Sequence, residues 1–256
     1  MILAMSILVR PGAIGLPVGL AVLGAFMNRR AARAYHPSPL WPLPVGATAI
    51  ASTVLVLLPW AYRNHRVVGH WVWTSTNAGF TAYDGFNPDA DGSSRQDFIA
   101  DMPQLNRMDE VGRSDYLTKR ARDYTDAHPE RVTQLALAKI ARTWSPMPLS
   151  SDFGRPIYVA AALLYGVPFF LLVILGLLSG GMPVSAKVFL LAPAIYLTAV
   201  HALSVGSLRY RVPAEVPMAV IAAACAVRVF ESIGAPQWRR AQEILERSQE
   251  PEASNQ

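Results

Sequence analysis

Two arginines and a glutamate lie close together in the last quarter of the chain, where an apolar run begins. Arg209 and Arg211 flank Tyr210, and Glu215 follows about one helical turn into the apolar run. Guanidinium groups bind phosphate oxygens through paired hydrogen bonds, and a carboxylate inside a membrane span is costly enough to be a functional candidate. One interpretation is that Arg209 and Arg211 hold a phosphate or pyrophosphate while Glu215 orients one of them. The alternative is an interfacial Arg–Glu pair that only anchors the helix.

A second basic cluster, Arg63-Asn64-His65-Arg66, follows another apolar run and opens a stretch rich in tryptophan and tyrosine that extends to Pro88. Membrane–water interfaces are enriched in such aromatic and basic side chains. Arg63 and Arg66 are therefore candidates for the same anionic pocket. The alternative is that both side chains only extend to lipid head groups.

Asp89 and Asp91 have the Asp-x-Asp spacing that can supply oxygen ligands to a divalent metal. They lie in a loop rich in proline and glycine, where aspartate is also favoured for turn formation alone. We expect no cofactor. If a divalent metal is bound, Asp89 and Asp91 are the candidate ligands.

The composition indicates a membrane protein with one polar insertion. Only 16% of the 256 residues are charged, against about a quarter in soluble domains. Residues 62–156 hold 12 of the 23 basic and 12 of the 18 acidic residues. The basic residues form no stripe that alternates with aromatics, which argues against a nucleic-acid partner. The single cysteine, Cys225, excludes an internal disulfide.

Five apolar segments approach the roughly 20 residues needed to cross a bilayer, which predicts an all-α membrane protein. They are Leu3–Met27, Leu43–Ala61, Ile157–Leu178, Lys187–Ser204 and Val212–Phe230. The arginines of the first connection, residues 28–42, predict that it is cytoplasmic. The predicted organisation is two membrane helices (1–61), an extracytoplasmic, mostly helical and loop subdomain (62–156), three membrane helices (157–230) and a partly disordered cytoplasmic tail (231–256).

Within the predicted extracytoplasmic subdomain, Val67–Thr76 is rich in β-favouring residues and predicts a strand. Asn77-Ala78-Gly79 and Asp84-Gly85 predict turns. Ser114 is a candidate N-cap for a helix to about Asp126, and Pro129 is a favourable first residue for a second, amphipathic helix through Thr143.

A series of short motifs follows a fixed order along the chain. They are Leu8-Val-Arg-Pro11, Pro59-Trp-Ala-Tyr-Arg-Asn64, Ser75-Thr-Asn-Ala-Gly-Phe80, Tyr83-Asp-Gly-Phe-Asn-Pro88, His128-Pro129, Leu135-Ala-Leu-Ala-Lys139, Trp144-Ser-Pro146 and Arg209-Tyr-Arg-Val-Pro-Ala-Glu215. In this order they resemble the C-terminal half of bacterial glycosyltransferase family 39 proteins, relatives of protein mannosyltransferases and of the aminoarabinose transferase that modifies lipid A. The resemblance covers the chain to about Phe230.

The resemblance implies a partial GT-C fold in a bacterial inner membrane, whose enzymes move a sugar from a polyprenyl-phosphate carrier to a lipid, protein or glycan. In such enzymes basic side chains receive the departing lipid phosphate. That role would fall to Arg209, Arg211 and Arg63, with Tyr210, Glu215 and Asn77 shaping the pocket.

The family's catalytic carboxylate lies in the first outer loop, far upstream of these motifs, whereas no acidic residue precedes Asp84 here. We therefore expect a fragment, a mis-started reading frame or one part of a split protein, which binds donor lipid and depends on a missing N-terminal half or a partner subunit for transfer. The alternative is a non-catalytic membrane protein that serves in interaction or assembly.

Overall fold

The computed structural model describes residues 2–27, 42–150 and 153–249, and within these ranges it contains helices and no strand. Single-turn 3-10 helices occupy Pro11–Ala13 and Leu208–Tyr210, and a longer one Pro103–Arg107. The α-helices are α1 (Ile2–Val9), α2 (Leu16–Met27), α3 (Pro42–Val68), α4 (Ala78–Gly85), α5 (Phe98–Asp101), α6 (Glu110–Ala127), α7 (Pro129–Thr143), α8 (Pro156–Leu178), α9 (Val184–Ala202) and α10 (Val212–Gln249).

Four helices of the described ranges are long and apolar enough to cross a membrane, which confirms an all-helical integral membrane protein. The candidate spans are Leu43–Val68, Pro156–Leu178, Val184–Ala202 and Val212–Ile233. Many of their large apolar side chains are exposed, including Leu164 and Leu178 at 79% each. Apolar surface of this extent is expected where lipid replaces water as the surrounding solvent.

The first predicted span, Leu3–Met27, is not one helix. It divides at Arg10-Pro11 into α1 and α2, because proline lacks an amide hydrogen and its ring obstructs the preceding turn. The apolar helical stretch after the break, Pro11–Met27, is shorter than the four spans. The break packs on α9, where the Tyr196 hydroxyl accepts from the Gly15 amide and donates to the Gly12 carbonyl, both at 2.9 Å.

Two boundaries differ from those expected. α3 continues to Val68, beyond the predicted end at Ala61. α10 runs without interruption to Gln249, beyond the predicted end of the fifth span at Phe230. The predicted disorder at residues 251–256 and the basic connection at 28–41 lie outside the described residues.

Residues 69–150, between the first two candidate spans, form the extramembrane subdomain, whose apolar core lies between α4, α6 and α7. Its buried members are Tyr83, Phe86, Ala90, Met102, Leu105, Leu117, Ala121 and Leu135. The helix predicted at Pro129–Thr143 is confirmed as α7, with proline in its first turn.

Three local predictions for this subdomain are wrong. Val67–Thr76 contains the end of α3 and an irregular segment rather than a strand, because side chains of α3 bind the segment's carbonyl groups. The residues predicted to form turns belong to α4 instead: Asn77 precedes its first residue, and Asp84 and Gly85 are its last two residues. α6 begins at Glu110 rather than at Ser114, since the Asp109 side chain caps it by accepting from the Gly112 amide.

The extramembrane subdomain joins the α9–α10 loop through close backbone contacts at Gly85, Gly92 and Gly206, here called the glycine seam. The Gly206 amide donates to the Gly92 carbonyl at 2.8 Å. A Cβ atom at Gly206 would lie 2.5 Å from the Lys139 carbonyl oxygen, and one at Gly85 would lie 2.1 Å from that of Ser204. Only glycine permits backbones to approach this closely.

Candidate anion-binding site

An open cleft of about 610 Å³ lies between the extramembrane subdomain and the α9–α10 loop. We call it the arginine cleft, because three arginines line it from three separate segments. Its described lining consists of Ser93, Ser94, Arg95, Arg142, Pro148, Leu149, Ser150, Phe153, Gly206, Ser207, Leu208 and Arg209. The glycine seam places Gly206 beside α7, so the fold brings Arg142 and Arg209 to one cavity from 67 positions apart in the sequence.

The lining combines positive charge with an apolar side. No carboxylate belongs to the described lining, although Arg95 makes an exposed ion pair with Asp97 at 3.3 Å just outside it. The Ser93 and Ser94 hydroxyl groups of the lining donate to the carboxylates of Asp91 and Asp84. Pro148, Leu149, Phe153 and Leu208 form the apolar part. A cleft lined by charge of one sign attracts and concentrates ligands of the opposite sign.

Arg209 is exposed, and its contacts within the described residues leave most of the guanidinium accessible. It donates to the Tyr210 hydroxyl at 3.2 Å and lies 5.1 Å from the centre of that ring. Arg10, at the break between α1 and α2, lies 4.8 Å from the same ring, and the His201 ring stacks on it at 4.1 Å. Tyr210 therefore holds two guanidinium groups near each other, an arrangement that favours an anion between or beside them.

The guanidinium group of Arg211 is hydrogen-bonded to other groups of the protein. It is 7% exposed, its Nε donates to Glu215 at 2.5 Å, and its Nη1 donates to the carbonyl oxygens of Thr143 (3.4 Å) and Ser145. Its guanidinium also lies 5.0 Å from the Phe170 ring centre. Arg211 thus ties the end of α7 to the start of α10.

Glu215 belongs to the same hydrogen-bonded connection between α7 and α10, and it is not in the lining of the arginine cleft. Besides Arg211, its carboxylate accepts from the Tyr165 hydroxyl of α8 at 3.2 Å. Glu215 was predicted to pair with one of the two arginines, and in the structure that arginine is Arg211.

Arg63 and Asn77 lie elsewhere on the described surface. Arg63 packs on Trp60 and donates to the Asn64 side chain at 3.2 Å, and it is not among the lining of the arginine cleft. Asn77 is exposed immediately before α4, where its carbonyl accepts from the Thr81 amide. Of the residues predicted to shape the pocket, Tyr210 contacts Arg209. Arg63 and Asn77 make other contacts.

Asp89 and Asp91 line a smaller cavity of about 190 Å³ with other aspartates. The described residues contain no group of three or more His, Cys, Asp or Glu side chains arranged to hold a metal ion. Asp91 accepts from both the amide (2.8 Å) and the hydroxyl (2.6 Å) of Ser93. Partial burial raises the pKa of Asp91, but these bonds, with Arg142 and Arg95, outweigh it and bring the pKa below its ordinary value. Asp91 therefore stabilises a turn at the edge of the arginine cleft.

Lys139 is a buried cation beneath the cleft. Its side chain is fully buried, and its Nζ lies 3.4 Å from the centre of the Phe86 ring with no hydrogen-bond partner among the described residues. Burial lowers the pKa of Lys139 to about 8, although the Asp84 carboxylate opposes the shift. Asp84 is itself held by the Ser94 hydroxyl (2.6 Å) and the Arg95 amide (2.7 Å), which positions the adjacent wall of the cleft.

Sequence reasoning missed Arg142 and Arg95 as lining residues. Arg142 is the basic residue in the last turn of α7, directly before the Trp144-Ser-Pro146 break. A cation near the end of an amphipathic helix that precedes a membrane span is a signal for an interfacial position. Arg95 gave no comparable signal, since its placement depends on the long-range contact between its amide and Asp84.

Comparison of the chain with protein-family models, curated proteins and solved structures gives no match in any of the three. Within the described residues, the fold and the site define an integral membrane protein with four candidate spans and an arginine-lined cleft. Any narrower assignment is a proposal.

Proposed function

We propose that the arginine cleft binds the phosphate of a polyprenyl-phosphate sugar donor, and that the chain is the donor-binding part of a glycosyltransferase related to family 39. The observation that supports this most directly is the convergence of Arg95, Arg142 and Arg209 on one cleft whose described lining contains no carboxylate. The motif order from Leu8 to Glu215 supports the family assignment, and the cleft supports the ligand class.

The ligand is a lipid phosphate rather than a soluble anion because of the cleft's mixed lining and position. Leu149, Phe153 and Leu208 lie on the same cavity as the arginines. The cavity also lies at the ends of the candidate spans, next to the start of α8. An isoprenoid chain would contact the apolar part while the phosphate contacts the guanidinium groups.

The proposed roles differ from the sequence expectation in emphasis. Arg209 is the principal phosphate contact, and Arg142, Arg95 and Arg10 add positive charge around it. Arg211 and Glu215 shape the pocket by fixing the α9–α10 loop against α7.

The cleft faces the outside of a bacterial inner membrane in this proposal. Three arginines in the short first connection of the sequence, Arg29, Arg30 and Arg33, support that orientation under the positive-inside rule.

The test is binding of a polyprenyl monophosphate to the full chain in lipid nanodiscs, with the matching polyprenol, which lacks phosphate, as the ligand control. Arg209→Ala and Arg142→Ala should each weaken binding about 10- to 100-fold, the range for loss of a hydrogen bond to a charged group. Arg122→Ala, an exposed arginine on α6 outside the cleft, should leave binding unchanged. Equal binding of the polyprenol, or equal effects of Arg209→Ala and Arg122→Ala, would contradict the proposal.

A further inference from the structure

The end of α3 carries a folded-back segment that points toward the membrane. Residues 69–74, here called the tryptophan strap, run antiparallel to the last turns of α3. The Trp60 indole nitrogen donates to the Thr74 carbonyl and the Asn64 amide nitrogen donates to the Val72 carbonyl, both at 2.8 Å. Because Thr74 pairs with the residue nearer the bilayer, the strap descends from the tip of α3 toward the head groups.

The strap leaves large amphipathic side chains exposed at the end of a candidate span. Trp71 is 52% exposed although its ring stacks on His65 at 4.6 Å, and Trp73 is 39% exposed. Trp60 and Tyr62 on α3 are exposed beside them. Rings with an apolar body and a polar edge are most stable at head-group depth.

Two arginines are oriented by these aromatic rings. The guanidinium of Arg63 lies 5.2 Å from the Trp60 ring centre, and that of Arg66 lies 6.0 Å from the Tyr62 ring centre and donates to its hydroxyl at 3.3 Å. Both side chains are exposed, and neither forms an ion pair among the described residues. No acidic residue precedes Asp84 in the sequence, so this end of α3 has a positive charge that local sequence neighbours do not balance.

We propose that the tryptophan strap and the end of α3 form a binding surface for the head group of an anionic bilayer phospholipid. Arg63 and Arg66 bind the lipid phosphate, while Trp71 and Trp73 lie among the neighbouring head groups. The surface is separate from the arginine cleft, whose lining includes neither arginine. It is continuous with the lipid-facing surface of α3, which determines that the occupant is a membrane lipid.

The test measures retention of phosphatidylglycerol by the full chain, using native mass spectrometry of protein released from nanodiscs of phosphatidylcholine with phosphatidylglycerol. The double variant R63Q/R66Q should weaken retention of phosphatidylglycerol about 30-fold, since each basic residue near an anionic surface strengthens binding about 5-fold. The matched control R120Q/R122Q, which removes the same charge from α6, should retain phosphatidylglycerol as the native chain does.

Two further measurements separate the lipid surface from its alternatives. R63K/R66K should keep most of the retention, because it preserves charge, and soluble glycerol phosphate should not displace the lipid. Brominated phosphatidylglycerol should quench tryptophan fluorescence less in the W71F/W73F variant than in the native chain. The proposal would be overturned if R63Q/R66Q and R120Q/R122Q retained phosphatidylglycerol equally or if glycerol phosphate displaced it. Retention of phosphatidylcholine as strong as that of phosphatidylglycerol would also overturn it.

This inference stands independently of the donor-binding proposal. R209A should leave retention of phosphatidylglycerol unchanged, and R63Q/R66Q should leave polyprenyl-phosphate binding unchanged. If only R63Q/R66Q lacks its expected effect on phosphatidylglycerol retention, the lipid surface is wrong. If only R209A lacks its expected effect on polyprenyl-phosphate binding, the donor-binding proposal is wrong.

Discussion

Substitution of Arg211 should destabilise the fold far more than substitution of Arg209, although the two residues are only two positions apart. Arg211→Ala removes a buried guanidinium that is bonded to Glu215 and to two backbone carbonyls at the end of α7. Removing one partner of a buried ion pair costs about 3–5 kcal/mol, because the other charge remains buried and unpaired. We expect that loss for Arg211→Ala. Arg209→Ala removes only an exposed contact with Tyr210 and should cost about 1 kcal/mol or less.

The chain supplies its own reporter for this measurement. Cys225 is the single cysteine of the sequence and is buried on α10. A maleimide dye that fluoresces on reaction with a thiol therefore reports unfolding of the protein in detergent micelles, by heat or by denaturant. Arg211→Ala should expose Cys225 at a markedly lower temperature or denaturant concentration than Arg209→Ala.

A double-mutant cycle separates the ion pair from general packing. Arg211→Ala combined with Glu215→Ala should cost about 0.5–3 kcal/mol less than the sum of the single variants, since the second change removes the stranded carboxylate. Equal stability of the two single arginine variants, or strict additivity in the cycle, would refute the structural role assigned to Arg211.

Three further outcomes follow from the extramembrane subdomain. Lys139→Met should stabilise the fold by about 1–2 kcal/mol at neutral pH, since an apolar side chain often replaces a buried ion with gain. The pKa of Lys139 falls from 10.5 to about 8 on folding, so the unfolded state binds more protons between these values. Stability of the native chain should therefore rise with pH from about 8 to 10.5 by at most about 3 kcal/mol, and a titration of Lys139→Met lacking that rise would confirm it. Gly206→Ala should cost about 1–3 kcal/mol through overpacking, whereas Gly180→Ala, with open space at its Cβ, should change unfolding little; equal effects would contradict the close approach. Trp60→Phe should accelerate amide hydrogen exchange in a peptide covering residues 69–76, because it removes the indole donor to Thr74, and an unchanged rate would show that this bond does not hold the strap.

The sequence predicted the elements whose formation depends on local patterns. α7 was predictable because Pro129 fixes its start and apolar residues recur at helical spacing through Thr143. Four of the five predicted spans correspond to candidate spans of the structure, because length and hydropathy identify them. The division at Arg10 was visible as an interruption, but its consequence, a break packed on Tyr196, depends on α9.

The features that were missed depend on contacts between distant residues. Val67–Thr76 has β-favouring side chains, yet Trp60 and Asn64 of α3 bind its carbonyl groups and no partner strand is available among the described residues. Ser114 is a favourable capping residue by type, but the Asp109 side chain accepts from the Gly112 amide, so the helix begins before Ser114. For the candidate site, Arg209 and Glu215 were recognisable from membrane-edge chemistry. The burial of Arg211 and the inclusion of Arg142 follow only from the docking of α7 on the α9–α10 loop.

The glycine seam also limits how far the polar region can be treated as a module. The polar region has the charge content of a water-soluble domain. However, Gly85, Gly92 and the Lys139 backbone are covered by the α9–α10 loop, which belongs to the membrane bundle. Residues 69–150 expressed alone would expose this contact and leave the Gly92 carbonyl without its partner. We therefore expect the polar region and the last two helices to unfold together, so grafting this region onto another membrane scaffold would require transfer of residues 204–211 with it.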